Sequence, residues 1–256
     1  MTQTFDANNA APVALITGAA ARIGAALART LHQQGYRIVV HYNTSQAKAE
    51  KLAAELNAQR ADSVRIVQAD LLSTTAVISL AQQALACWGR MDVLINNASA
   101  FYPTPLDDLV EDDWINLMRS NAKAPLFLCK ELHHALRQRK GCIINMVDST
   151  AMHGLAGFTP YSMAKAALAN MTRALARELA PDIRVNGISP GIILWPEYDE
   201  LDEERKTEAI ACTALKRMGT VDDITNTALF LIQQASYMTG QIIRVDGGAA
   251  LAGPQG

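Results

Sequence analysis

V-A-L-I-T-G-A-A-A-R-I-G, residues 13–24, decides the fold. Its first five residues are a short run of mostly apolar side chains with three β-branched members, the pattern of a strand buried on both faces. Gly18 begins a turn of small residues, and from Arg22 the composition becomes that of a helix, expected over 22–34. A strand that passes through such a turn into a helix points the free N–H groups of the first helical turn at the strand's carboxyl end, where they attract phosphate. Gly18 suits the tight turn and lets the backbone approach a pyrophosphate closely.

The same alternation runs through the rest of the chain. Six further strands are expected: RIVVH (37–41), VRIVQA (64–69), MDVLIN (91–96), CIINMVD (142–148), IRVNGIS (183–189) and QIIRV (241–245). Between them, residues 46–59, 74–88, 110–138, 161–180 and 221–234 carry the Ala, Leu, Glu, Gln and Arg content of helices. Strands separated by helices require parallel β-α-β crossovers. The fold class is therefore α/β, a single Rossmann-like domain with a doubly wound seven-stranded parallel sheet and helices on both faces, over residues 12–256. Residues 1–11, MTQTFDANNAA, are expected to be a tail. Residues 192–218, beginning I-I-L-W-P and rich in acids, interrupt the rhythm and are expected to form a lid over the strand ends.

Composition removes several classes of function. With a net charge of −2 and a sequence pI near 6.2, there is no basic field of the kind nucleic acid or an anionic membrane attracts. Cys87, Cys129, Cys142 and Cys212 are scattered without a C-x-x-C pair, which fits reduced thiols in a cytoplasmic protein and no metal site.

Arg22 stands where the usual glycine spacing would put another glycine. A cation in a first helical turn opposes the helix dipole, which points to a bound anion within reach of its guanidinium. About twenty residues beyond the loop an NAD site would place an acid for the ribose hydroxyl. This chain has His41, Tyr42, Asn43, Thr44 and Ser45 there, donors without a carboxylate, so a 2′-phosphate is tolerated and NADP is favoured over NAD. Asp70, closing the third expected strand, is placed to accept from an adenine amino group or to cap a helix over 71–86.

At the other end of the site, Tyr161 precedes Lys165 by four residues, one helical turn on a shared face. A free tyrosine titrates near ~10, and a neighbouring ammonium favours its phenolate. Thirteen residues before the tyrosine, at a strand end, stands Asp148. A one-residue register change would bring Ser149 there instead, turning Asp148 to the other side of the strand.

These residues carry a resemblance. On T-G-A-A-A-R-I-G (17–24), D-L (70–71), N-N-A-S (96–99), Asn121, Y-S-M-A-K (161–165), R-V-N-G-I-S-P-G (184–191) and V-D-G-G (245–248), the chain resembles the short-chain dehydrogenases/reductases. The resemblance implies that Tyr161 is the general acid, that Lys165 holds the nicotinamide ribose and lowers the tyrosine pKa, and that Asn121 supports a water chain to the lysine. It also implies cofactor contacts from Gly18, Arg22, Ile23, Asp70, Leu71, Asn96, Asn97, Ala98 and Ser99, and from Pro190, Gly191 and Ile192 at the nicotinamide end. Three departures, Arg22 for a loop glycine, Ser99 for the glycine after N-N-A and Asp148 for a serine, resemble the pteridine reductase branch, as do N-N-A-S-A-F-Y-P-T-P-L (96–106) and H-Y-N-T-S (41–45). Ala21 and Thr44 stand where a lysine and a phosphate-gripping arginine would be expected, and the terminal LAGPQG lacks an arginine that could reach a neighbouring subunit.

Physical chemistry points the same way. A ketone offers only lone pairs, which an ionised carboxylate beside it would repel. A pterin presents ring N–H and NH₂ donors, which a carboxylate accepts, and an imine nitrogen that must gain a proton. The expected substrate contacts are Arg22, Ser99, Phe101, Asp148 and Tyr161, with Phe101 stacking on a flat bicycle, and with Tyr102 and Trp195 as weaker members. The expected reaction is NADPH-dependent reduction of a dihydropterin or dihydrofolate, or of the oxidised ring, by a homotetramer built on the apolar faces of 110–138 and 161–180. The alternatives are a reductase of 3-oxoacyl thioesters or quinones, and a non-enzymatic NADP sensor.

Overall fold

The computed structural model describes residues 11–151, 153–195 and 202–251. Most of the expected tail, residues 196–201 of the expected lid and the last five residues lie outside them.

Strands β1 (Val13–Ile16), β2 (Arg37–Tyr42), β3 (Val64–Gln68), β4 (Val93–Asn96), β5 (Cys142–Met146), β6 (Arg184–Pro190) and β7 (Ile242–Val245) form one parallel sheet in the order β3-β2-β1-β4-β5-β6-β7. All seven expected strands are present, with ends moved by no more than two residues. The connecting helices are α1 (Arg22–Gln33), α2 (Gln46–Gln59), α3 (Thr74–Trp88), α4 (Glu111–Met118), α5 (Ala124–Gln138), α6 (Thr159–Glu178), α7 (Glu203–Ala211) and α8 (Val221–Gln233).

Strand alternation builds a core on each face of the sheet. In β1, Ala14 and Ile16 join Leu31 of α1, Leu52 and Leu56 of α2 and Leu231 of α8. Val13 and Leu15 face the other way, toward Leu80 of α3, Leu132 of α5 and Ala176 of α6. Because both faces are covered there, the central strands β1, β4 and β5 read as nearly continuous apolar runs. Strand order reverses between β1 and β4, and a parallel sheet opens a crevice at that point outside its carboxyl ends. Gly18, Asn97, Asp148 and Gly191 all follow the carboxyl ends of strands.

One expectation needs correction. Residues 110–138 do not form one continuous α-helix: α4 and α5 are joined by a π-helical turn at Arg119–Lys123, with Asn121 at its centre. The expected lid contains helix α7, whose Asp202 side chain accepts from the Arg205 N–H and caps its start. No described helix is long and apolar enough to cross a membrane.

Candidate active site

The loop after β1 is held from beneath. Thr17 Oγ1 accepts the N–H groups of Asn97 and Ala98 at 2.9 and 3.0 Å, and the Asn97 amide donates to the carbonyls of Thr17 and Gly18. Gly18 has φ +62°, and a Cβ there would lie 3.0 Å from Ala98 Cα, so close approach and left-handed backbone both require glycine. The helix that follows has no side-chain cap and no acid in its first turn. Its N-terminal N–H groups are thus left for an anion at the strand-order crevice. Ile23 packs against the core, and its main chain belongs to that first turn.

His41 is not at the surface edge expected for a 2′-phosphate donor. It is 1% exposed, its Nδ1 accepts the Gly18 N–H at 3.0 Å, and its Nε2 lies 3.0 Å from the Ala69 carbonyl. A ring that accepts at Nδ1 and faces a carbonyl at Nε2 is the neutral Nε2–H tautomer. Burial accordingly pushes its pKa down to about 4. His41 is a brace between the glycine loop and the end of β3. Tyr42 likewise packs in the apolar core, 9% exposed. Of the expected phosphate donors, Asn43 and Thr44 are exposed and Ser45, preceding α2, is half-buried with no side-chain capping bond.

Asp70 Oδ1 accepts the Leu72 N–H at 3.0 Å, a local turn, while Ser73 caps α3 by accepting from Ala76. The capping role considered for Asp70 therefore falls to Ser73. Leu71 packs on the α3–α5 core. Arg22 has φ +54°, a left-handed conformation that costs a non-glycine residue roughly 1–2 kcal/mol. Its exposed guanidinium donates to the carbonyls of Leu194 and Trp195 at 3.2 and 2.9 Å, tying the loop to the beginning of the expected lid.

Asp148 and Tyr161 meet. The phenol donates to Asp148 Oδ2 at 2.7 Å, so it is Asp148, two residues beyond β5, and not Ser149 that faces the tyrosine. One helical turn on, Lys165 is 2% exposed, donates to the Met146 carbonyl at 2.9 Å and lies 5.7 Å from the centre of the Tyr161 ring. Burial lowers its pKa to about 8, against the opposing pull of the Asp148 carboxylate.

Asn121 explains the π-turn. Its side-chain amide donates to the Leu117 carbonyl at 3.0 Å, the acceptor that its own main-chain N–H would take in an α-helix. The same amide reaches the Ala100 carbonyl at 3.0 Å, and its oxygen accepts from Ser99 Oγ at 2.6 Å. The loop after β4 is thereby riveted to the helix. Ser99, expected to touch ligands, has its hydroxyl on Asn121.

That loop also carries Phe101, whose ring stacks on Phe158 with centroids 4.6 Å apart and planes 12° apart, and meets Tyr161 edge-wise at 4.7 Å. Thr104 N–H donates to the Gly157 carbonyl at 2.6 Å, joining the two loops behind the rings. Phe158 was not singled out in the sequence; its place three residues before Tyr161 on a helix start was the available signal. Tyr102 lies beside Asp113 of α4, and its pKa is raised by burial and then by that carboxylate. After β6, Pro190 leads into Gly191, where a Cβ would fall 2.6 Å from Asp246 Cα, and the Ile192 carbonyl accepts from Gly219. The Trp195 ring lies 5.9 Å from Lys206 Nζ.

Comparison with known proteins agrees with this arrangement. A family profile described as "Enoyl-(Acyl carrier protein) reductase" matches residues 18–250. Pteridine reductase 1 of Leishmania tarentolae is 39% identical over 94% of this chain and 97% of its own. A 3-oxoacyl-[acyl-carrier-protein] reductase of Staphylococcus aureus is 36% identical over 92% and 96%. Among solved structures, a blue fluorescent protein from a metagenomic library, in complex with NADPH, superposes with a TM-score of 0.87 at 36% identity, covering 93% of this chain and 98% of that one. With the dinucleotide-type crevice, the Tyr161–Lys165 pair and matches along almost the whole length, the chain belongs to the short-chain dehydrogenase/reductase family.

Proposed function

We propose that this oxidoreductase is an NADPH-dependent pteridine reductase, acting on a dihydropterin or dihydrofolate. The observation that carries the reading is the Asp148 carboxylate 2.7 Å from the Tyr161 hydroxyl.

The residues fit the dinucleotide. An uncapped helix N-terminus without acids suits the pyrophosphate, and the exposed Asn43 and Thr44, without a carboxylate, suit a 2′-phosphate. The NADPH in the similar solved structure supports the same choice. Lys165 would hold the nicotinamide ribose, while Asn97, Ala98, Pro190, Gly191 and Ile192 would border the nicotinamide end. When bound, the cofactor supplies hydride to a carbon of the substrate ring.

The chain's own groups handle the proton. The proton for the ring nitrogen next to the reduced carbon comes from the hydrogen-bonded Tyr161–Asp148 pair, and the nearby Lys165 ammonium stabilises negative charge on the phenol oxygen. Asp148 orients that phenol and, as an acceptor, holds ring N–H and exocyclic NH₂ donors. A substrate carbonyl at the same place would face a carboxylate rather than a donor. Phe101 offers a flat wall for the bicycle, backed by Phe158.

A second reading, reduction of 3-oxoacyl thioesters, is favoured by the 36% identity to the Staphylococcus aureus enzyme. The test is NADPH consumption by purified protein with dihydrobiopterin, dihydromonapterin, dihydrofolate and an acetoacetyl thioester in parallel. Turnover of a pterin supports the proposal; turnover of the thioester alone refutes it. We also propose a homotetramer. An apolar groove of about 410 Å³ between α4, the π-turn, α5 and α6, including Trp114, Met118, Leu126 and Met171, is the surface a second copy would cover.

A further inference from the structure

Asp148 also lines a second, smaller cavity. It measures about 100 Å³ and is lined by Val147, Asp148, Ala169, Arg173, Ser189 and Arg244, among others. Arg173 stands on α6, one turn beyond Ala169. Arg244 stands on β7, in register with Ser189 of β6, whose side chain is buried. Helix α6, strands β6 and β7 and the segment after β5 thus converge on one space.

Its charge is unbalanced. Neither Arg173 nor Arg244 has a hydrogen-bond or ion-pair partner among the described residues, although most other arginines facing a neighbouring element do. Asp148 is the one acid in the lining, and one of its oxygens already takes the Tyr161 hydroxyl. Two guanidinium groups at one small cavity repel each other, and an anion between them relieves that repulsion. The guanidinium fork matches tetrahedral phosphate and planar carboxylate equally, and a hydroxyl such as that of Ser189 can donate a further bond. A space of about 100 Å³ admits such an ion.

We propose that this cavity binds an oxyanion of the phosphate or carboxylate type, held by Arg173 and Arg244 with Ser189 as a further donor. The ion arrives either free from solution or as an acidic side chain of a second copy, since β7 is the edge strand and both arginines are exposed. The site borders Asp148, so its occupancy opposes the charge of the carboxylate on which Tyr161 rests. Linkage then makes the two sites reciprocal: removing the charge at Asp148 must tighten the oxyanion.

The experiment uses the full chain saturated with NADP, so that phosphate cannot occupy the glycine loop, and titrates inorganic phosphate by calorimetry in a chloride buffer. One saturable site is expected, weakened about tenfold or more by Arg173→Ser or Arg244→Ser, less by Arg244→Lys, and strengthened severalfold by Asp148→Asn. NADP affinity should be unchanged in the arginine variants, which reports that they fold. If wild-type protein takes up no phosphate but the arginine variants sediment at a lower mass, the oxyanion is a neighbour's carboxylate. Phosphate binding that is indifferent to both arginines overturns the proposal, as does the absence of phosphate binding together with an unchanged sedimenting mass.

Discussion

Replacing Asp148 by asparagine keeps the shape of the side chain and removes its charge. In the structure that charge accepts the Tyr161 O–H at 2.7 Å, a short charge-assisted bond. Such bonds contribute about 1.5–3 kcal/mol against roughly 0.5–1.5 for a neutral one, so about 1–1.5 kcal/mol of phenol orientation is lost. A pterin N–H donor facing the same carboxylate loses a comparable amount, or meets the NH₂ of asparagine as a second donor with nothing to accept it. The sum, about 2–3 kcal/mol, corresponds to roughly a 30- to 150-fold fall in kcat/KM. The assay is loss of nicotinamide absorbance with a dihydropterin, alongside NADPH affinity as a control for folding. Asp148→Ser adds the complementary arm: it supplies a donor, so any weak activity on an acetoacetyl thioester should rise while pterin reduction falls. Full pterin turnover by both variants would refute the reasoning, because the carboxylate would then be a bystander.

Lys165, with a pKa lowered by burial to about 8, is protonated below that pH and loses its charge above it, so reductase activity should fall as pH rises through about 8, with Lys165→Met inactive at every pH. For His41 the folded pKa, about 4, lies below the unfolded value near ~6.5, so its stabilising contribution is intact above pH ~6.5 and is lost progressively as pH falls toward 4, up to about 3 kcal/mol. The melting temperature of His41→Gln, lower at neutral pH, should therefore depend less on pH over that interval than that of the parent protein. Ser99→Ala and Asn121→Ala should each lower kcat, and their combination should cost less than the two separately by about 1 kcal/mol; strict additivity would show that the 2.6 Å bond between them carries no function. Trp114→Glu, placing a charge in the α4–α6 groove, should reduce the sedimenting mass below that of a tetramer.

The sheet was legible because burial on both faces leaves the central strands, β1, β4 and β5, short apolar runs, and the helices α2 and α3 were placed to the residue by their composition. Features that arise from contacts distant in sequence were not. His41 sits in a polar stretch that reads as exposed, yet strand β2 carries it inward to Gly18, 23 residues back, and Ala69, 28 residues on. Nothing in R-S-N-A-K marks a π-turn, since no residue there breaks a helix; the turn exists because Asn121 finds acceptors on two segments. Phe158 joins Phe101 across 57 positions, a pairing that no local pattern encodes. Asp148 is the opposite case: its spacing from Tyr161 placed it, and its chemistry limits which substrates it can serve.

Whole-chain likeness weighs that chemistry poorly. Identities of 39% to a pteridine reductase and 36% to a 3-oxoacyl reductase sum over every position alike, including core strands that must stay apolar whatever the substrate. Substrate class is decided where charge meets the reacting ring. In the proposed reading the glycine loop, the His41 brace and the buried Lys165 would serve hydride transfer to either kind of acceptor, since they would hold the dinucleotide and the phenol rather than the acceptor itself. Asp148 differs in that its sign has opposite consequences for a carbonyl oxygen and for a ring N–H. A change of one side chain there outweighs a difference of a few identities in every hundred positions elsewhere, which is why the two arms at Asp148, asparagine and serine, discriminate between the readings.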